Sequence, residues 1–236
     1  MTRQLPLDLD APDRWSRDHF VADAALTGVL DTVLAPRRWI APHLVLQGPE
    51  GSGKTHIGHI FADSHNAVFL NPSRTFTLDT GRLEDRPYVV DEADTASQPT
   101  LFHLSNHATR NNQPLLLLTR TQPRAWDITV PDLASRLYAM RVLTVPEPDE
   151  ALLRDILLAL FARRAISPSP DAVDYLMMRI DRSVGAVQKT VTELEYYAGG
   201  RAFNRALARD YFEHDPDLPF AKPGRQDFDS PENSGD

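Results

Sequence analysis

The residues best placed to do chemistry are Gly48-Pro49-Glu50-Gly51-Ser52-Gly53-Lys54-Thr55, which fit the pattern G-x4-G-K-[ST] throughout. The pattern follows an apolar run and precedes a helical one, the context a phosphate-binding loop requires. Its glycines let backbone N–H groups turn inward around a phosphate, and the helix start adds positive potential. Lys54 can reach the outer phosphates of a bound nucleotide, and Thr55 offers a hydroxyl to Mg²⁺. Downstream, Asp91 and Glu92 close the apolar run Tyr88-Val89-Val90. An acidic pair at the carboxyl end of a buried strand suits a Walker B element, with Asp91 holding Mg²⁺ through water and Glu92 orienting an attacking water. ATP or ADP with Mg²⁺ is the expected ligand.

Elements that would position these groups alternate along the chain. His43–Gln47, Ala67–Asn71, Pro87–Glu92, Pro114–Arg120 and Met140–Val145 contain short apolar runs bounded by turn residues, as buried parallel strands do. Helical patterns over Thr55–Ser64, Thr100–Asn111 and Leu133–Ala139 intervene, so an α/β parallel sheet is expected. After Pro146–Pro148 the pattern becomes wholly helical over Asp149–Ala165, Pro170–Ile180 and Val184–Ala198. The expected organisation is an N-terminal peptide (1–10), a nucleotide-binding α/β domain (11–146), a three-helix lid (147–200) and a C-terminal extension (201–236). From Arg209 onward eight acids face three bases, and the final Pro- and Gly-rich stretch is expected to be largely disordered.

Composition narrows the function. The 236 residues carry a formal charge of −8, which argues against coating nucleic acid by charge alone. The absence of cysteine removes disulfides, thiolate metal sites and cysteine nucleophiles. With no run long enough to cross a bilayer and no signal-like start, a soluble cytoplasmic protein is expected. His56/His59 and His103/His107 have helical spacing but lack the glutamate of H-E-x-x-H, so packing roles are expected. Trp15, Trp39 and Trp126 read as hydrophobic anchors, since no basic residues interleave with them.

The phosphate loop, the Asp91-Glu92 pair and a C-terminal helical lid resemble the AAA+ ATPases. Val130–Leu137 (VPDLASRL) resembles the box VII segment of the branch that holds the bacterial replication initiator DnaA and its regulator Hda. Arg17–Asp23 (RDHFVAD) is similar to the segment of that branch that encloses the adenine, which brings in Phe20 and Val21. Gln4–Leu9 (QLPLDL) resembles the sliding-clamp-binding peptide of Hda, with Gln4, Leu5, Leu7 and Leu9 as its contacts. The resemblance covers about Gln4 to Ala198, and no helix-turn-helix domain of the DnaA kind is expected in the residues after the lid.

This resemblance implies a regulator that binds the clamp and presents Arg136 as an arginine finger to ATP held by DnaA. DNA would be met only through the clamp, and a homodimer is allowed. Two positions depart from the branch. Gly185 stands where the sensor 2 arginine is expected, with Arg182 and Lys189 on other helix faces. Arg120 stands at the polar sensor 1 position, with Thr119 as a substitute. Both departures imply weak or absent hydrolysis by the chain itself. Two other readings remain open: an autonomous ATPase of the DnaC/IstB loader kind, and a scaffold that tethers partners to the clamp.

Overall fold

The computed structural model describes residues 15–71 and 83–213. The Gln4–Leu9 peptide and the end of the C-terminal extension lie outside them. Apolar runs become β1 (His43–Gln47), β2 (Val68–Leu70), β3 (Tyr88–Val90), β4 (Leu115–Thr119) and β5 (Arg141–Thr144). They form one sheet in the order β2-β3-β4-β1-β5, with every neighbouring pair parallel. All strands therefore start at one edge and end at the other, and the crossover helices cover both faces.

Successive strand side chains point to opposite faces, which explains why these runs are apolar throughout. Leu44, Leu46, Leu116, Leu118 and Val89 pack on one side against α1 (Ala24–Val33) and α2 (Lys54–His65). Val45, Leu115, Leu117, Tyr88 and Val90 pack on the other against α3 (Gln98–Asn111) and α4 (Pro131–Ala139). Helix α2 lies very close to the sheet. A Cβ on Gly58 would come within 2.6 Å of Leu118 Cδ1 and 3.1 Å of Phe69.

Four helices follow β5, one more than the three-helix pattern anticipates: α5 (Glu150–Arg163), α6 (Pro170–Met177), α7 (Val184–Ala198) and α8 (Arg205–Glu213). Helix α8 buries only Leu207, Ala208 and Tyr211 among charged residues, and it packs on α6 and α7. Asp149 and Ser183 cap α5 and α7 through side-chain oxygens that accept from Leu152 N and Ala186 N. Arg164, whose side chain is 2 % exposed, donates to Glu195 at 2.9 Å and to the Leu160 carbonyl at 3.0 Å, pinning α5 to α7. Among the described residues no helix is long and apolar enough to cross a membrane.

Candidate functional site

The loop Gly48–Gly53 leaves the carboxyl end of β1 and runs straight into α2. Gly48 N donates to the Thr119 carbonyl at 3.1 Å, tying the loop to the end of β4. Gly51 (φ 70°) and Gly53 (φ 90°) both occupy the left-handed region, which side chains make costly. Pro49 and Glu50 form the exposed crest, while Ser52 and Lys54 are buried. The Lys54 Nζ donates to the carbonyls of Gly48 (2.8 Å) and Pro49 (2.6 Å), which fixes the ammonium beneath the loop. Burial pulls its pKa below the usual lysine value, against the opposing pull of Asp91.

Asp91, 6 % exposed, stands across from the loop. Its Oδ2 accepts from Thr55 Oγ1 at 2.9 Å and its Oδ1 accepts from Glu92 N at 3.0 Å. Burial raises the Asp91 pKa, and these two hydrogen bonds work against that rise. A glycine-rich loop at a helix start, a buried lysine, a hydroxyl and an adjacent carboxylate fit a Mg²⁺-nucleotide. Thr55 and Asp91 would hold the metal, Lys54 and the loop the phosphates; the ion would supply positive charge that offsets that of the phosphates.

Arg120 follows Thr119 at the end of β4 and spans this acidic rim. Its guanidinium lies 2.8 Å from Glu50 and 3.9 Å from Glu92, so the end of β4 carries a cation bridging the loop and the end of β3. Glu92 itself adopts a left-handed backbone (φ 49°). The Thr119 hydroxyl donates to the Thr121 carbonyl at 2.9 Å and serves the turn that follows β4. A cavity of about 440 Å³ opens here, lined by Gln47, Arg120 and Arg124 among others.

At the other end of the loop, Phe20 lies 3.7 Å from the position of a Cβ on Gly53. Its ring meets His56 edge-on at 5.0 Å, and His56 Nε2 lies 3.0 Å from the Ser16 carbonyl. Val21 packs beside Phe20 on the core of this side of the sheet. Arg163, from the end of α5, donates to the His19 carbonyl and ties the lid to the same segment. The sequence pattern did not single out Arg163, because a long-range hydrogen bond to a backbone carbonyl leaves no local signature. The lid also touches the loop directly. A Cβ on Gly51 would come within 2.8 Å of the Gly185 nitrogen, at the start of α7. Arg182 and Lys189 are engaged within the lid, at 3.7 Å from Glu150 and 3.9 Å from Glu193.

Arg136 lies apart from this cluster. It sits on α4 and pairs with Asp132 at 3.1 Å, with its side chain 36 % exposed. Burial lowers the His43 pKa, the Ser105 carbonyl opposes that, and the positive charge of Arg136 adds a smaller push in the same direction as burial. His43 opens β1 and the phosphate loop follows Gln47, so the two are separated by the strand's full rise of about 13 Å. Arg136 lies near the end of α4, five residues before Arg141 opens β5, and so belongs to the strand-start edge, whereas the Gly48–Gly53 loop belongs to the strand-end edge. Gln98 holds the approach to α4: its Oε1 accepts from Thr129 N (3.0 Å) and Val130 N (3.3 Å), and its Nε2 donates to the Asp127 carbonyl.

No protein-family model matches the chain. It is 26% identical over 205 residues to an uncharacterized protein of Haemophilus influenzae, covering 78% of this chain and 86% of that one. It is 23% identical over 198 residues to the chromosomal replication initiator protein DnaA of Bacteroides thetaiotaomicron, covering 72% of this chain but 41% of the initiator. Among solved structures, domain III of the Thermotoga maritima replication initiation protein DnaA superposes with a TM-score of 0.70 at 16% identity, covering 86% of this chain and 96% of that one. A DnaA bound to AMPPCP and single-stranded DNA gives 0.64 at 14% identity, over 85% and 69% of the two chains. The Thermotoga maritima RuvB Holliday junction branch migration motor also gives 0.64, at 17% identity, over 84% and 71%. A five-stranded parallel sheet flanked by helices, with these likenesses, is the α/β fold of the AAA+ domain of DnaA and RuvB.

Proposed function

We propose that this chain is a nucleotide-binding regulator of replication initiation that supplies Arg136 in trans to ATP held by the initiator DnaA, while tethered to the sliding clamp through Gln4, Leu5, Leu7 and Leu9. The placement of Arg136 carries the reading. It lies at the end of α4 beside the start of β5, on the edge opposite its own phosphate loop, partly exposed, and paired on its own chain with the surface carboxylate of Asp132. Such a guanidinium can leave Asp132 at little cost and donate to a terminal phosphate on another subunit, where charge grows during transfer. The chain's own Mg²⁺-nucleotide site then serves as a conformational ligand site. Gly185 offers no side chain to the phosphates, and Arg120 takes up part of the charge of Glu92. The weak likeness to DnaA over 72% of the chain agrees with a shared ancestry of regulator and initiator.

The test measures ATP hydrolysis by purified DnaA with and without this protein, with DNA-loaded clamp supplied or withheld. Clamp-dependent stimulation is expected; the absence of stimulation in every combination refutes the proposal. The hydrogen-bonded Thr55–Asp91 pair beside Lys54 favours a second reading, an autonomous ATPase. Steady turnover by the protein alone, unchanged by DnaA or clamp, would select it.

A further inference from the structure

Arginine supplies most of the positive charge in this chain, and most described arginines have a side-chain partner. Arg120, Arg136, Arg154, Arg164 and Arg182 sit in ion pairs, and Arg124, Arg179 and Arg205 lie over tyrosine rings. Among the described residues the side chains of four arginines have no ion pair, hydrogen bond or ring contact: Arg37, Arg38, Arg110 and Arg141.

These four share one place in the fold. Arg37 and Arg38 belong to the turn that leads into β1, Arg110 to the last turn of α3 that leads into β4, and Arg141 opens β5. Because the strands are parallel, all four lie at the strand-start edge. Cross-links confirm the proximity: Leu115 N donates to the Pro42 carbonyl at 2.7 Å, and Thr109 Oγ1 lies 3.3 Å from His43 Nε2. Arg38 and Arg141 line one cavity of about 270 Å³ with Trp39 and Asp31, the latter 3.9 Å from Arg17. Ile40, 88 % exposed, stands beside them. Arg136, in the last turns of α4 just before β5, is on the same edge.

The opposite edge is richer in acids. Glu50, Glu92 and Asp94 lie in or beside the phosphate loop and Glu147 follows β5, while Lys54 and Arg120 there are already engaged by the loop carbonyls and by Glu50 and Glu92. A protein that holds a nucleotide at the strand-end edge of a similar sheet would present acids and phosphates together. We propose that Arg37, Arg38, Arg110 and Arg141, with Ile40 as an apolar anchor, form the docking rim through which this chain seats Arg136 on the acidic, nucleotide-holding edge of a protein partner. The proposal rests on the reading of Arg136 as a finger in trans and extends it to the surface that brings the finger into place. Guanidiniums around an exposed aliphatic side chain are the composition of a protein contact. A chain of net charge −8 is poorly suited to a nucleic-acid backbone.

The experiment compares the wild-type chain with the triple variant Arg37→Gln, Arg38→Gln, Arg141→Gln, with circular dichroism melts as the folding control. Binding of the fluorescently labelled chain to ATP-loaded DnaA is titrated at low and high salt, and hydrolysis is followed over the same concentrations. At low salt the triple variant is expected to bind roughly 10- to 100-fold more weakly, with the gap narrowing at high salt while the plateau rate holds. Arg136→Ala is expected to do the reverse, binding well and losing the plateau. Equal affinity of triple variant and wild type, with Arg136→Ala still inactive, overturns the rim and leaves the finger reading standing. Failure of wild type to bind or stimulate DnaA overturns both. Parallel titrations with labelled single-stranded and duplex DNA, and mass photometry of the chain alone, decide the occupant. Loss of DNA binding or of a homodimer in the triple variant, with DnaA binding intact, assigns the rim elsewhere.

Discussion

Arg136→Ala separates structural from catalytic roles because the two magnitudes differ so widely. On its own chain Arg136 makes one i,i+4 pair with Asp132, both side chains at least a third exposed. Exposed pairs of this kind contribute about 0.3–0.5 kcal/mol, and alanine returns part of that through better helix propensity. Leu133 and Leu137, fully buried beneath α4, keep the helix in place. The expected change in unfolding free energy is therefore under about 1 kcal/mol, read as a small shift of the urea midpoint. In trans, a lost finger removes roughly 10³ to 10⁵ in rate, equivalent to about 4–7 kcal/mol at the transition state. The assay is single-turnover hydrolysis of radiolabelled ATP pre-bound to DnaA, with saturating variant and loaded clamp. Arg136→Lys tests geometry as well as charge and is expected to remain strongly impaired, since a point charge replaces a planar fork. Wild-type stimulation by Arg136→Ala, or a loss of rate matched by loss of the fold, refutes the reasoning.

Three further outcomes follow from the packing and the buried charges. Asp91→Asn keeps an oxygen for the Thr55 hydroxyl while removing a carboxylate whose pKa burial has raised, so the fold should be as stable or slightly more so; Mg²⁺-dependent affinity for a fluorescent ATP analogue should fall at least tenfold, by titration with and without Mg²⁺. Gly58→Val would drive methyl groups into Leu118, Phe69 and Val89 and should cost about 1–3 kcal/mol in urea unfolding. Burial holds His43 and His56 below the ordinary 6.5, so the unfolded chain takes up protons first. Their contribution to stability is complete above about pH 6.5 and is lost as the pH falls toward their folded values. His43→Gln with His56→Gln should flatten that decline in melts between about pH 7.5 and 5.5.

Much of the sheet can be read from the chain because its strands are buried on both faces, and a run such as Leu115–Leu118 has no polar face to disguise it. The phosphate loop is equally plain, since its geometry depends on contiguous residues. Helix α1 is less visible. Gly28, Thr27, Thr32 and two valines give it weak local preference, and it relies on Asp23 as a cap and on four apolar residues packed against the sheet. Helix α8 hides for the same reason, its charged residues outnumbering the three side chains it buries. The unpartnered arginines are invisible before folding, because three separate chain segments bring them to one edge. The Arg120 bridge likewise joins residues from the loop and two strand ends.

The meeting of Gly51 and Gly185 bears on how the lid responds to whatever the loop holds. In a lid steered by a long cationic arm, loss of a phosphate slackens the arm and the helices swing. Here main chain rests on main chain with no lever between them. A nucleotide that shifts the loop would then move the start of α7 by contact shape, with little dependence on how many phosphates it carries. A subunit built so would keep one outline through the cycle of its neighbour, acting as an anvil against which the other protein does its work.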